Sequence, residues 1–183
     1  MFKTSETHPI RVDWLPRAAA GAVGLTFAPG KHQDGRNGRW RRSLARDLDD
    51  LRDAHGVDVL VCLLEDDELD RLRISGYQAE AEARGITVYR LRIPDGHAPG
   101  DPTAVAALLA TIAGEVDAGR SVVIHCAGGL GRAGAVGGCW LRERGVGADE
   151  ALATLRAARG SGCPETEAQR RFIRAWPAGT RRA

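Results

Sequence analysis

Apolar and polar positions along the chain alternate between a period of two and a period near 3.6. The opening runs "IRVDWL" and "AVGLTFAPG" read as strands, and "GKHQDGRNG" after them reads as a glycine-rich loop carrying three basic side chains. In "RWRRSLARDLDDLRDAHG" the apolar residues Trp40, Leu44, Leu48 and Leu51 fall on one helical face, and Gly56 supplies the stop. "VDVLVCLLE" is continuously apolar at strand length, the pattern of a parallel strand covered on both faces. Helical sequence follows in "DDELDRLR" and "YQAEAEARG", then a β-rich run, "ITVYRLRI", that ends in the loop "PDGHAPGDP". Asp101 and Pro102 have the character of an N-cap and first-turn proline for a helix whose inner face is Val105, Leu108, Leu109, Ile112 and Val116. "SVVIHC" is the next buried strand. A helix over "AGAVGGCWLRERG" follows it, with two more around Leu152 and Leu155 and around Phe172, Ile173 and Trp176. Strands alternating with helices predict an α/β fold, a three-layer α/β/α sandwich with a mainly parallel central sheet.

Length and composition narrow this reading. The 183 residues fit one domain, 1–183, whose last stretch, 177–183, reads as a frayed tail. A net charge of +2 with 43% hydrophobic residues is ordinary for a soluble chain and lacks the concentrated basicity of a nucleic-acid binder. The basic residues are almost all arginine, Lys3 and Lys31 being the two lysines. "MFKTSETHPIRVDWLP" has no apolar signal core and "AAAGAVGL" is too short to span a bilayer, so a cytoplasmic location without membrane association is expected. Cys62, Cys126, Cys139 and Cys163 show no paired metal spacing and are read as thiols.

The stretch "VVIHCAGGLGRAG" carries the candidate chemistry. Cysteine and arginine at this spacing are not specific alone, since four cysteines in so arginine-rich a chain give about 0.5 such matches by chance. Context makes the difference: Cys126 ends a buried strand, and a helix starts near Arg132, the place where open α/β sheets bind ligands. Gly128, Gly129 and Gly131, with Ala127 and Leu130, let successive N–H groups turn inward as an anion nest, and Arg132 adds a forked cation. That positive field favours the thiolate of Cys126 and makes it a nucleophile toward phosphorus. His125 reads as a hydrogen-bonded histidine beneath the loop. Phosphate or sulfate is the expected ion there, and the thiolate, nest and acid require no metal or cofactor.

"HCAGGLGRAG" resembles the His-Cys-x5-Arg signature of the cysteine-dependent protein tyrosine and dual-specificity phosphatases, and its "HCxGGLGR" form is most similar to the kinase-associated, cyclin-dependent-kinase inhibitor type. The likeness runs through "FAPG", "VLVCLLEDDEL", "RIPDGHAP" and "PETEAQRRFI", about residues 22 to 176. It implies a phosphatase-like fold and a phosphorylated protein as substrate. Expelling an alkoxide or phenoxide needs a proton donor. Asp95, in "IPDG" after a strand, resembles the family's general acid, while Asp101 is more simply a helix cap. Gln169 either matches the place of a family glutamine that orients the hydrolytic water or is a surface glutamine on the last helix. Ala133 departs from the pattern, which has Ser or Thr there to hydrogen-bond the cysteine sulfur, and so implies slow breakdown of a phosphocysteine. Cys62, at another strand end, is a candidate resolving thiol for Cys126. His32, Arg36 and Arg39 are either cleft-lining or solvated.

The loop interior, Ala127 to Leu130, has no lysine for extra phosphates, which favours a monophosphate ester. Two rival functions remain at this level: a phosphate-binding pseudophosphatase, suggested by Ala133, and an RNA or nucleotide phosphatase, suggested by the arginines.

Overall fold

The computed structural model describes residues 1–16, 20–35 and 38–179. In chain order its elements are β1 (Phe2–Lys3), β2 (Asp13–Trp14), β3 (Ala22–Thr26), β4 (His32–Gly35), β5 (Gly38–Arg41), α1 (Leu44–Asp49), β6 (Val59–Cys62), α2 (Asp66–Arg71), α3 (Tyr77–Glu82), β7 (Thr87–Arg90), α4 (Pro102–Asp117), β8 (Ser121–His125), α5 (Gly131–Glu143), α6 (Ala148–Arg159) and α7 (Glu167–Ala175).

Five strands form the central sheet in the order β2-β3-β8-β6-β7, parallel except where β2 runs against β3. Alternation along these strands sorts side chains onto two faces. Val23, Leu25, Val59, Val61, Val122 and Ile124 enter one apolar cluster with residues of α4 to α7, such as Val105, Ile112, Val136, Leu152 and Ile173. Leu60, Cys62 and Val123 enter the other, with Leu48, Leu51, Tyr77 and Ala81. The predicted α/β/α sandwich with a mainly parallel sheet is the observed architecture, and it accounts for the uninterrupted apolar run at 59–64, buried on both sides. Asp101 caps α4, its carboxylate accepting from the N–H groups of Thr103 and Ala104, with Pro102 in the first turn.

Two local expectations are corrected. The supposed loop "GKHQDGRNG" holds β4, which pairs antiparallel with β5, while β1 adds parallel to the other side of β5, making a small second sheet. Trp40 belongs to β5 and not to the face of the first helix. Its ring packs on Phe27 with centroids 5.4 Å apart, so a tertiary contact, absent from any local pattern, sets its conformation. The first helix is also shorter than its pattern, beginning at Leu44 under an N-cap from Ser43 and passing into a π-helical turn, Asp50–Ala54, before Gly56 at φ +65°. Of the expected tail, Gly179 donates to the Arg142 carbonyl at 2.9 Å, and residues 180–183 lie outside the described residues. None of the helices among the described residues is long and apolar enough to cross a membrane.

Candidate active site

β8 delivers His125 and Cys126 to the carboxyl edge of the sheet, where α5 starts five residues later. The intervening loop is held from outside by its carbonyl oxygens. Ala127 accepts from Lys31 Nζ at 2.9 Å, Gly128 from Arg159 Nη2 at 3.0 Å, Gly129 from Arg159 Nε at 3.0 Å, and Leu130 from the Cys163 thiol at 3.2 Å. A trans peptide points its N–H opposite to its C=O, so the amides of Gly128, Gly129, Leu130 and Gly131 turn the other way, toward the loop interior. The Gly129 N–H indeed reaches Cys126 Sγ at 3.2 Å. Gly129 itself has φ +73°, and a Cβ there would stand 2.2 Å from the Thr26 carbonyl oxygen, so only glycine allows this path.

Arg132, 1% exposed, lies in the first turn of α5. Glu68 clamps its fork, Nη1 to Oε2 at 2.5 Å and Nη2 to Oε1 at 2.9 Å, and the Ile93 carbonyl accepts from Nη1 at 2.9 Å. Burial works against this charge, but the hydrogen bonds and field of Glu68 outweigh it and hold the guanidinium above its ordinary pKa. Burial also opposes ionisation of Glu68, yet the Arg132 fork and the Glu65 N–H keep its carboxyl below the usual range. Arg132 Nε is buried with no partner among the described residues.

Asp95 sits in a turn closed by the His97 N–H on the Pro94 carbonyl at 3.1 Å, with Gly96 at φ +74°. Its side chain is 71% exposed and pairs with Arg132 Nη2 at 2.9 Å, so the structure brings Asp95, Arg132 and Cys126 to one place. Gln169 is fully buried and no surface residue. Its Oε1 accepts from the Thr166 N–H at 3.0 Å, which leaves Nε2 to donate to the His97 carbonyl at 3.1 Å and so ties α7 to the Asp95 turn. A Cβ on Gly131 would meet Glu165 Oε2 at 2.4 Å and Gln169 Nε2 at 2.8 Å, which puts both side chains beside the end of the loop.

His125 is fully buried, and its Nε2 shares a 2.7 Å hydrogen bond with the Tyr77 hydroxyl. Burial pushes its pKa down to about 4, so the ring is neutral near pH 7 and adds no positive charge to Cys126. Cys62 pairs in register with His125 and lies in the opposite apolar cluster from Cys126; burial pushes its thiol up. Ala133 is fully buried in the α5 core. His32 Nε2 donates to the Arg42 carbonyl at 3.0 Å, Arg39 lies over the Phe2 ring, neither lines the cleft, and Arg36 falls outside the described residues.

A cleft of about 610 Å³ opens over Cys126, and Lys31, Trp40, Asp95, Arg159 and Glu165 contribute to its walls. Sequence reading overlooked Lys31, Glu68, Arg159 and Glu165. Glu68 could have been found from the capping pattern "EDDE", because the third residue of a helix reaches back to the chain before it. The others come from elements distant in sequence, and no local signal marks them.

Residues 35–146 match the family model described as "Polymorphic toxin system, DSP-PTPase phosphatase". The chain is 30% identical over 174 residues to cyclin-dependent kinase inhibitor 3 of Rattus norvegicus, covering 92% of this chain and 79% of that one. Among solved structures, kinase-associated phosphatase with its catalytic-site cysteine replaced by serine superposes with a TM-score of 0.80 at 25% identity, covering 90% of this chain and 92% of its own. The active form of Tk-PTP gives a TM-score of 0.67 at 34% identity, over 84% of this chain and 89% of that chain. With the cysteine loop, the buried arginine and the sheet edge that carries them, these likenesses place the chain in the dual-specificity phosphatase family, an enzyme of the protein tyrosine/dual-specificity class.

Proposed function

We propose that the chain hydrolyses phosphate monoesters on phosphorylated proteins through a phosphocysteine on Cys126. The observation that carries this reading is the buried Nε of Arg132, which has no partner among the described residues although Glu68 and Ile93 fix the rest of the fork. A buried, unpaired N–H of a cation calls for an anion. The phosphoryl oxygens take Arg132 Nε and the amides of residues 128 to 131, and Ala127 to Gly131 form the wall of that cradle. Cys126 Sγ then attacks phosphorus. Asp95, released from Arg132 by the incoming phosphate and protonated from solvent, gives that proton to the leaving oxygen as that P–O bond breaks. In the second half, water attacks the phosphocysteine, with Asp95 receiving its proton and Gln169 and Glu165 beside the loop to hold it.

The loop interior offers backbone and apolar side chains rather than further cations, which suits a single phosphate group. Ala133 supplies no hydroxyl to the departing sulfur, which makes breakdown of the phosphocysteine the slow step. The same alanine is the one feature that favours a phosphate-binding module without turnover. A rapid-quench time course with an aryl phosphate separates them: a burst of phenol, lagging phosphate and an added phosphate mass on Cys126, all lost in Cys126→Ser, are expected. Tight phosphopeptide binding with neither product released would overturn the enzymatic reading.

A further inference from the structure

Lys31 is 4% exposed, yet it ends at the cleft above Cys126. Its ammonium lies 5.1 Å from the Phe27 ring centroid and 4.8 Å from that of Trp40, and it donates to the Ala127 carbonyl. Among the described residues no carboxylate lies within ion-pair distance of it. The nearby buried acid, Asp47, is already spent on Arg42, at 2.6 and 2.7 Å, and on the Gly30 N–H at 2.8 Å. A buried cation without a carboxylate is costly unless another anion faces it. The charged groups that act on Lys31 are Cys126 from the β8 loop, Arg42 after β5, Arg159 from α6 and Lys3 from β1, while Asp95 and Glu165 line the same cleft. Cys126 is the one in the first set able to become an anion.

We propose that Lys31 is the cationic partner of the Cys126 sulfur, stabilising the thiolate of the free enzyme and the thiolate that departs from the phosphocysteine, where Ala133 offers no hydroxyl. The inference rests on the phosphocysteine reading above. In the second step the water oxygen bonds to phosphorus, the S–P bond breaks, the sulfur keeps the electron pair and the water proton passes to Asp95. Lys31 exchanges no proton and contributes only its field. Burial pushes its ammonium down to about 8, the Cys126 sulfur opposing that fall and Arg42, Arg159 and Lys3 adding to it, so the charge is present at pH 7 and lost as pH rises through 8.

Lys31→Gln keeps a donor for the Ala127 carbonyl and removes the charge, and Lys31→Arg keeps the charge. The first readout is the pH midpoint of Cys126 alkylation by iodoacetamide, followed by peptide mass, which needs no turnover. In Lys31→Gln it should rise by about one unit, a tenfold loss of thiolate, with Lys31→Arg restoring it. An unchanged midpoint in Lys31→Gln overturns the proposal. The second readout is single turnover of an aryl phosphate, in which Lys31→Gln should slow decay of the Cys126 adduct more than its formation; unchanged decay overturns the second role. If the parent enzyme forms no adduct at all, the phosphocysteine reading falls, whereas the alkylation midpoint still decides the pairing of Lys31 with the sulfur.

Discussion

At position 133 one missing oxygen separates this chain from the pattern it otherwise follows. A hydrogen bond to a charged group is worth roughly 1.5–3 kcal/mol, about 10- to 100-fold in a rate it controls. Ala133→Ser should therefore speed phosphate release by about that range while leaving the phenol burst unaltered. Equal steady-state turnover in the two proteins would show that the sulfur needs no hydroxyl. In the proposed mechanism Glu68 is a positioning residue of a different kind, its carboxylate accepting from Arg132. Glu68→Gln leaves the guanidinium buried with one clamp weakened. Small misplacements of a catalytic group cost up to about 100-fold, so kcat should fall by that order. Loss confined to KM would instead mean that Glu68 serves binding alone.

At the scale of elements, helix starts carry much of the site. Glu68 at the third position of α2 accepts from the Glu65 N–H and from Arg132 with the same oxygen, and Gln169 at the third position of α7 spans the Thr166 N–H and the His97 carbonyl. Each side chain caps a helix with one contact and aims the site with the other. The loop between β8 and α5 depends on Gly129 in a corresponding way. Gly129→Ala meets the left-handed backbone penalty of about 1–2 kcal/mol, and its Cβ also collides with the Thr26 carbonyl on β3. The expected result is a urea midpoint lowered by at least that penalty together with loss of the burst; a variant with wild-type stability and an intact burst would show that the loop shifts to accommodate the methyl.

For the whole molecule, the sandwich buries a titratable ring between its layers. His125 is pushed down to about 4 by burial, the Cys126 backbone contact opposing this and the Arg132 and Arg90 charges adding to it. Between that value and the ordinary 6.5, the unfolded chain binds a proton that the folded chain does not. Stability therefore falls as pH drops from 6.5 toward 4, by about 3 kcal/mol if the full difference is expressed. Urea unfolding at a series of pH values should show this slope, and His125→Asn should flatten it above pH 5, where few carboxylates titrate. The same slope in both proteins would move its origin to another group.

Sequence alone determined the layered fold and pointed to the candidate site. A strand buried on both faces is apolar in its interior, which makes 59–64 and 122–124 legible without any neighbour. A loop of Cys, glycines and Arg at a strand's end states its geometry within eight residues, and Asp101 states its cap within three. Only the tertiary structure decided the rest. β1 finds β5 across a long sequence separation, and β1, β4 and β5 contain too few apolar residues to announce a period. Lys31 and the stretch from Arg159 to Cys163 reach the loop carbonyls from two distant segments, and Glu68 and Asp95 meet at Arg132 from two others. Periodicity records which face of an element is buried; it carries no information about which distant charge will stand opposite, and in this site those charges hold the loop and its arginine in place.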